Sequence, residues 1–545
     1  MSLRLGALLR RGLRDPLLLG STIGVLAAVI MFRSLATLVL IALPVAVFLF
    51  RVLLPHLREL GLIEAIDLDL LFLVTHMWAV STGRPPRRRL FELGVIVKGY
   101  GVYQRILRRI AVLAVDWAYG FTRATRIVAN EVRNRYLREF LYRLSEVFRT
   151  GEDVSRFLRV EFSTLMRQFI AGYGRAIDLM RVYLGVYTAL MSSIAFVVLV
   201  VILLALFLGG GTNLIITSTI SMLALAGFFA PLAKVLAPED PLVYTAREAL
   251  NPWLKRVSRT AYIGAGLAIA TGLGVLLLTH DPLLSLAGLA IPLLYPGVTA
   301  RRFQGFIRRL NSFYQIFVRS FGLTFSLIPN YAKALESILA AEYGVLTPFI
   351  RRLYARISNG IDPHVALRNF ALETSSMDVV RTVNILADTV DAGGDMAEVG
   401  LVLSDLLIRL GDLRIDRSRV ARTFEAVVYM MQGLLAAITA AMINVLVIFA
   451  HYYQRFLALK LPGGVTAGFV LPITMPSLPL VSAAMAIFLA GLIVINSLVI
   501  TYASGDIPEC SLFHIALLSL VTVAGAKLMA YVSKILVLPL VIPTG

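Results

Sequence analysis

The 545-residue chain is poor in charged residues and in cysteine. Charged residues make up 16% of it and hydrophobic residues 58%, whereas a soluble domain carries about 25% charged residues. The composition therefore excludes a set of ordinary soluble domains and predicts a polytopic membrane protein. The single cysteine, Cys510, excludes an intrachain disulfide framework and a Cys-rich zinc or iron–sulfur site.

Motifs for enzymatic chemistry are also lacking. The sequence contains no Gly-x4-Gly-Lys-Ser/Thr segment for nucleotide phosphates and no Gly-x-Ser-x-Gly nucleophile elbow. Its six histidines are scattered and form no His-x3-His pair, which argues against a metal site. We therefore expect no enzymatic activity, no cofactor and no metal.

Long apolar runs are what the chain does contain. A helix needs about 20 apolar residues to cross the hydrocarbon, and we predict about nine transmembrane helices in an all-α protein. The predicted spans are Leu17–Met31, Ser34–Leu54, Val182–Leu208, Leu214–Leu232, Ala261–Leu278, Pro282–Tyr295, Ala426–Ala450, Leu480–Ile500 and Ile515–Leu540. The run Pro282–Tyr295 is the shortest of those between the two long polar segments.

The basic residues predict the orientation of these spans. Residues 1–14, 55–181, 238–260 and 299–425 hold 45 of the 52 Lys and Arg residues. Because positive residues concentrate on the cytoplasmic side, we place these segments and the N-terminus in the cytoplasm, and the C-terminus outside. The loop near Ser504–Phe513 fits this topology least well, because it lies inside yet carries Asp506 and Glu509 and no basic residue.

We predict that two long cytoplasmic segments are copies of one unit of short helices. Tyr100-Gly101-Val102 followed by Arg108-Arg109 recurs as Tyr343-Gly344-Val345 followed by Arg351-Arg352. We therefore predict five regions, two of them duplicated cytoplasmic helical bundles. The regions are a transmembrane hairpin at 1–54, a first bundle at 55–181, central spans at 182–298, a second bundle at 299–425 and C-terminal spans at 426–545.

Small and acidic residues mark a turn late in each copy: Gly151 and Asp153 in the first, and Gly393, Gly394 and Asp395 in the second. Two interpretations are open for the acidic side chains. Asp388, Asp391 and Asp395 have the spacing of a divalent-cation site on one helix face. Alternatively, the glycines end one helix and Asp395 caps the next, as Asp153 would in the first copy.

A basic cluster in the first copy consists of Arg84, Arg87, Arg88 and Arg89 beside a Pro-Pro pair. Attraction to anionic lipid accounts for such a cluster, and docking of an acidic cytoplasmic partner is the alternative. Nucleic acid is not expected, because aromatic interleaving and a recognised nucleic-acid-binding motif are both missing.

The second segment reads Gly360-x-Asp362-Pro363, Ala366-Leu367, Ala371-x-Glu373, Asn384-x-Leu386-Ala387 and Ala392-Gly393-Gly394-Asp395, followed by a long span. It resembles the type II secretion F-domain family. The duplicated layout is most similar to the archaeal members that serve archaella and adhesive pili (FlaJ- or TadC-like).

The resemblance implies a non-enzymatic platform in the cell membrane beneath a filament of a type IV pilus-like, archaellum or type II secretion-like system. Such a platform contacts a cytoplasmic hexameric secretion ATPase and pilin-like filament subunits, and a homodimer is compatible with it. A repeat-built transporter or channel is the main alternative, and a scaffold for another cytoplasmic complex is a second.

The second copy keeps the family pattern more closely, and its charges are nearly balanced, with 16 basic and 13 acidic residues against 21 and 13 in the first. A balanced surface favours specific paired contacts. We therefore predict that Arg351, Arg352, Arg356 and Arg368 contact the ATPase, and that Arg84 and Arg87–Arg89 face lipid.

Overall fold

The structure is a computed structural model that describes residues 67–207, 211–246, 248–458 and 477–541. These residues form fifteen α-helices, and the only β-pairing among them is a single bridge between Val243 and Ser376. The predicted all-α class is confirmed. The helices are α1 (Leu68–Ser81), α2 (Val102–Val115), α3 (Gly120–Glu131), α4 (Arg135–Thr150), α5 (Val154–Phe207), α6 (Gly211–Leu236), α7 (Pro252–Thr279), α8 (Pro282–Leu327), α9 (Tyr331–Ile338), α10 (Thr347–Ser358), α11 (Pro363–Thr374), α12 (Met377–Asp391), α13 (Met396–Ala458), α14 (Leu478–Ser504) and α15 (Ser511–Val541).

Seven helices in the described ranges are long and apolar enough to cross a membrane: α5, α6, α7, α8, α13, α14 and α15. They contain the seven spans predicted between Val182 and Leu540. The run Pro282–Tyr295 is short because it forms only the first part of the 46-residue helix α8. The two spans predicted at 17–31 and 34–54 lie outside the described residues.

Three of these helices, α5, α8 and α13, run through both the membrane region and a bundle. Helix α5 has 54 residues and α13 has 63, although only part of each sequence is apolar enough to lie in lipid. Each begins as a bundle helix with charged residues on its surface and ends as a span. No connecting loop separates bundle from membrane along α5 or α13.

The two bundles repeat the same order of elements, with α2 to α5 corresponding to α10 to α13. Glycines with positive φ stand at matching points of the chain: Gly101 and Gly344, Gly120 and Gly360, Gly151 and Gly393. An L-residue with a side chain rarely adopts such backbone angles. Repetition in sequence therefore reflects repetition of the turns that separate the helices.

Helix α1 lies between the two bundles. Thirteen of its fourteen residues are buried, because it packs against α5 of its own copy and α12 of the other. Its sequence is apolar on all sides, as expected for a helix with no solvent face. One hydrophobic core runs through both bundles, from Leu68 to Leu410, so the two bundles form a single helical body.

Inside the membrane region, buried polar side chains connect four helices. The Tyr187 hydroxyl of α5 donates to Asn496 Oδ1 of α14 over 2.5 Å. Asn496 Nδ2 donates to Gln432 Oε1 of α13, and Gln432 Nε2 to Thr522 Oγ1 of α15, over 2.9 and 3.2 Å. All four side chains are buried, and such bonds join helices in a medium where the hydrophobic effect cannot.

The acidic turn between α14 and α15 lies on the same side of the membrane region as the bundles. Arg308 of α8 pairs with Asp506 of this turn. Arg417 of α13 donates to the carbonyl oxygens of Tyr502 and Ala503 over 2.8 and 2.9 Å. Arg308 and Arg417 therefore supply the positive charge beside this acidic turn, which has no basic residue of its own.

Candidate functional site

The four arginines predicted to contact a partner all lie on the second bundle, but they differ in surroundings. Arg352 Nε lies 2.8 Å from Glu373 Oε2, and Arg356 pairs with the same carboxylate. Arg368 lies 3.1 Å from Glu248 of the segment between α6 and α7. Arg351 is exposed and makes no ion pair within the described residues.

The first bundle contains the counterpart of one of these pairs. Arg109 of α2 lies 2.9 Å from Glu131 of α3, as Arg352 of α10 does from Glu373 of α11. Because the pair occurs at the same point of both copies, it joins the first two repeated helices of each bundle. Arg351 remains the arginine of the predicted set most available to a separate protein.

The predicted turn residues form the end of the helical body farthest from the membrane-spanning segments, where α5 and α13 begin. Gly151 and Gly393 both have positive φ, and Asp153 and Asp395 accept backbone N–H bonds at the starts of α5 and α13. Gly394 packs against α1: an added Cβ would lie 2.6 Å from Thr82 Oγ1.

The basic cluster of the first copy lies at this distal end too. Arg87 stacks over the Phe148 ring, 5.2 Å from its centroid, and Phe148 precedes the start of α5. Arg88 pairs with Glu92, and Arg89 pairs with Asp388 of α12. Arg84 has positive φ. Arg87 and Arg89 thus each contact another part of the chain, and the contact of this cluster with lipid stays a prediction.

Asp388 is the centre of a polar interface between the two copies. Its side chain is 2% exposed and pairs with Arg89. Its Oδ2 accepts the Gly94 N–H over 2.8 Å and lies 3.0 Å from His76 Nε2 of α1. His76 Nδ1 is in turn 3.0 Å from the Tyr100 hydroxyl. One carboxylate of the second copy is thus surrounded by three groups of the first.

The electrostatics of Asp388 reflect these neighbours. Burial raises the pKa of its carboxyl, but the bonds from His76 and Gly94 and the charge of Arg89 outweigh burial and hold the pKa below its usual value. The carboxylate is therefore ionised at neutral pH and stabilises the interface in that form.

Two further side chains of α12 continue the interface along the same helix face. Asn384 accepts the Ile96 N–H over 2.9 Å and donates to the Lys98 carbonyl over 2.8 Å. Arg381, 6% exposed, donates to Asp69 of α1 over 2.9 Å. Residues 381, 384 and 388 fall at helical spacing, so α12 presents a polar stripe to the first copy.

A buried ion network joins α12 to the membrane-proximal side of the body. Arg414 of α13 donates to both oxygens of Asp240 and both of Asp378, over 2.6 to 2.9 Å. Asn311 of α8 also donates to Asp378, over 2.8 Å. Burial raises the pKa of Asp240, but Arg414 more than offsets this and lowers it. The network fixes the segment between α6 and α7 against the second bundle.

Sequence reasoning missed most of this interface. Asp388 was predicted only as part of an acidic cluster, Asn384 only as part of the family pattern, and no role was predicted for Arg381, Arg414 or Asp240. The available signal was polar residues at helical spacing within a helix that is otherwise apolar. No group of three His, Cys, Asp or Glu side chains in the described ranges is arranged to hold a metal ion.

Intramembrane charge gives no support to a transport pathway. Lys527, a basic residue within the last span, forms an ion pair over 2.5 Å with Asp281. Asp281 caps the start of α8 in the short turn after α7. The pair thus lies near the membrane surface opposite the bundles, and no observation on the described residues favours the transporter alternative.

Together, the fold and these interfaces define a polytopic membrane protein with a duplicated helical body outside its membrane-spanning segments. Residues 317–445, which run from α8 through the first part of the α13 span, match the family model of "Type II secretion system (T2SS), protein F". The family resemblance predicted from the motifs of the second copy is confirmed.

Two relatives resemble most of the chain. Flagella accessory protein J of Methanocaldococcus jannaschii is 24% identical to it, with 79% of each chain covered. Flagella accessory protein J of Methanococcus voltae is 21% identical, with 77% of each chain covered. No solved structure matches the chain significantly.

Proposed function

We propose that this protein is the membrane platform of an archaellum or type IV pilus-like machine. It anchors the base of the filament and couples a separate cytoplasmic hexameric ATPase to the assembly of pilin-like subunits. The match of residues 317–445 to the T2SS protein F family carries this proposal. The absence of a P-loop from the sequence agrees with it, since the energy then comes from another subunit.

The architecture supports the same role. The two bundles form one body on one side of the membrane-spanning region, and α5 and α13 connect that body directly to the spans. We infer the predicted five-region division of the chain, with the bundles and the N-terminus in the cytoplasm and the C-terminus outside. A soluble ATPase then has access only to the body, and membrane-embedded pilins only to the spans.

Co-purification tests the proposal. The full chain, extracted in mild detergent from its native membrane after crosslinking, should bring down a secretion ATPase and a pilin-like subunit. Recovery of neither partner, from cells that are assembling filaments, would refute the platform role.

Among the four arginines of the predicted ATPase surface, Arg351 is the best residue for a binding test, because its substitution should change binding without changing stability. Arg351→Glu should weaken ATPase binding in a salt-dependent way without lowering thermal stability, because Arg351 is exposed and has no ion-pair partner in the described ranges. Arg352→Glu is the matched comparison: it places a carboxylate beside Glu373, so stability should fall first. Unchanged ATPase binding by folded Arg351→Glu would exclude this contact.

A further inference from the structure

We propose that the α2–α3 turn of the first bundle is a docking site for a protein with an acidic surface around an apolar pocket. The turn, residues 116–119, presents Trp117 at 65% exposure. Tyr119 stacks beside it with ring centroids 6.4 Å apart, and Arg123 lies over the Tyr119 ring. Tryptophan, tyrosine and arginine are the residue types that dominate binding energy at protein interfaces.

The turn holds Trp117 in a defined position. The N–H groups of Asp116 and Trp117 both donate to the Val112 carbonyl, and that of Tyr119 donates to the Leu113 carbonyl over 3.2 Å. Ala118 adopts a φ of 56° to close this arrangement, a conformation that a non-glycine residue rarely takes. The exposed ring is therefore displayed on a hydrogen-bonded turn, which reduces the ordering cost of binding.

The neighbouring face of α2 extends the surface. Val112 and Val115 are exposed, and Arg108 and Arg105 lie about one and two turns before Val112 on the same face, also exposed. Neither arginine forms an ion pair within the part of the chain that the structure describes. Unpaired positive charge beside exposed apolar rings complements a partner that carries carboxylates around a pocket.

The position of the turn excludes lipid as the occupant. Phe121, which follows the turn, packs against Phe148 at 6.2 Å, and the Ser145 hydroxyl donates to the Thr122 carbonyl over 2.9 Å. Both contacts are near the end of α4, beside the start of α5 at Val154. The predicted span begins at Val182, so the turn is about 40 Å along the helix from the membrane.

We take the docked protein to be the cytoplasmic secretion ATPase. This identification of the partner rests on the proposed function. The test measures binding of the purified ATPase to the full chain in lipid nanodiscs. Trp117→Ser should weaken binding at least tenfold. The double variant Arg105→Glu/Arg108→Glu should weaken it similarly and reduce its dependence on salt. Controls are Val160→Ser and Arg167→Glu, which alter exposed residues of α5 in the same bundle and should stay within twofold.

The outcomes separate the two claims. Absence of ATPase binding by the unaltered protein overturns the proposed function and this inference with it. Binding by the unaltered protein that Trp117→Ser and the arginine double variant leave within twofold overturns the docking site alone. Trp117→Ser should keep the unaltered thermal unfolding temperature, because the side chain it removes is mostly exposed.

A second measurement checks the occupant directly. The chain has three tryptophans, and Trp117 alone can be followed after Trp78→Phe and Trp253→Phe. Its emission should shift to the blue on addition of the ATPase. Quenching of that emission by brominated lipid in the nanodisc would place the turn at the membrane and overturn the proposal.

Discussion

Replacing Asp388 by alanine should loosen the attachment of the second bundle to the first. The change removes the partner of Arg89 and leaves the Gly94 N–H and the buried His76 ring facing a small void. Losing one member of a buried ion pair costs about 3–5 kcal/mol. Arg89 is 40% exposed and can be rehydrated, so we expect the lower end, about 3 kcal/mol.

Amide hydrogen exchange measures this effect locally. Peptides from α1 and α12 in the full chain should exchange more than a hundredfold faster in Asp388→Ala, since 1.4 kcal/mol corresponds to a factor of about ten. Asp391→Ala is the matched control one turn later, because its side chain is 37% exposed and its loss should cost less than about 1 kcal/mol. Exchange in Asp388→Ala within threefold of the unaltered protein would refute the reasoning.

The same carboxylate predicts the pH dependence of the interface. Its pKa is lower in the folded protein than in an unfolded chain, so its stabilising contribution is complete above about pH 4 and disappears as the pH falls through the folded-state pKa. The amide exchange rate of α12, relative to that of an unstructured chain at the same pH, should therefore rise on acidification below about pH 4. Asp388→Asn should lack this component, and an identical acid response in both proteins would contradict the assignment.

Three other predictions concern packing, charge and topology. Gly322→Ala should destabilise the body by about 1–3 kcal/mol, because the new Cβ would lie 2.4 Å from the Met396 carbonyl oxygen of α13. The control is Gly305→Ala on the same helix, where a Cβ meets open space. This variant should unfold at the same temperature as the unaltered protein or slightly above it. Arg414→Lys should lower the unfolding temperature clearly, because lysine cannot bridge both buried carboxylates; unchanged unfolding would contradict the network. Cysteines placed at Thr150 and Asn359 should react with a membrane-impermeant maleimide only in inverted vesicles, and labelling in intact cells would reverse the proposed topology.

The seven spans in the described residues could be predicted because length and hydropathy alone determine whether a helix can cross lipid. The repeated helical layout was also predictable. Its signal was local: Gly101 and Gly344, and later Gly151 and Gly393, mark turns whose backbone angles require glycine. Such features depend on a few neighbouring residues, which a single sequence displays directly.

The pairing of charges could not be predicted in the same way. Arg89 and Asp388 are 299 residues apart, and Arg368 and Glu248 are 120 apart. Whether an arginine faces solvent, lipid or a carboxylate depends on which helices meet, and composition does not determine that. The balanced charge of the second bundle gave no sign that Arg352, Arg356 and Arg368 each pair with a carboxylate of the same chain.

Helices α5 and α13 also have a mechanical consequence. Neither contains a proline, in 54 and 63 residues respectively, so each is a stiff rod of about 80 to 95 Å. Helix α8, by contrast, carries Pro292 and Pro296 within its span. Displacement of the bundle end of either helix would therefore meet no proline hinge before the bilayer. The buried hydrogen bonds through Asn496 join α5 to α13 within the membrane region, so we expect a tilt of one helix to be passed to the other.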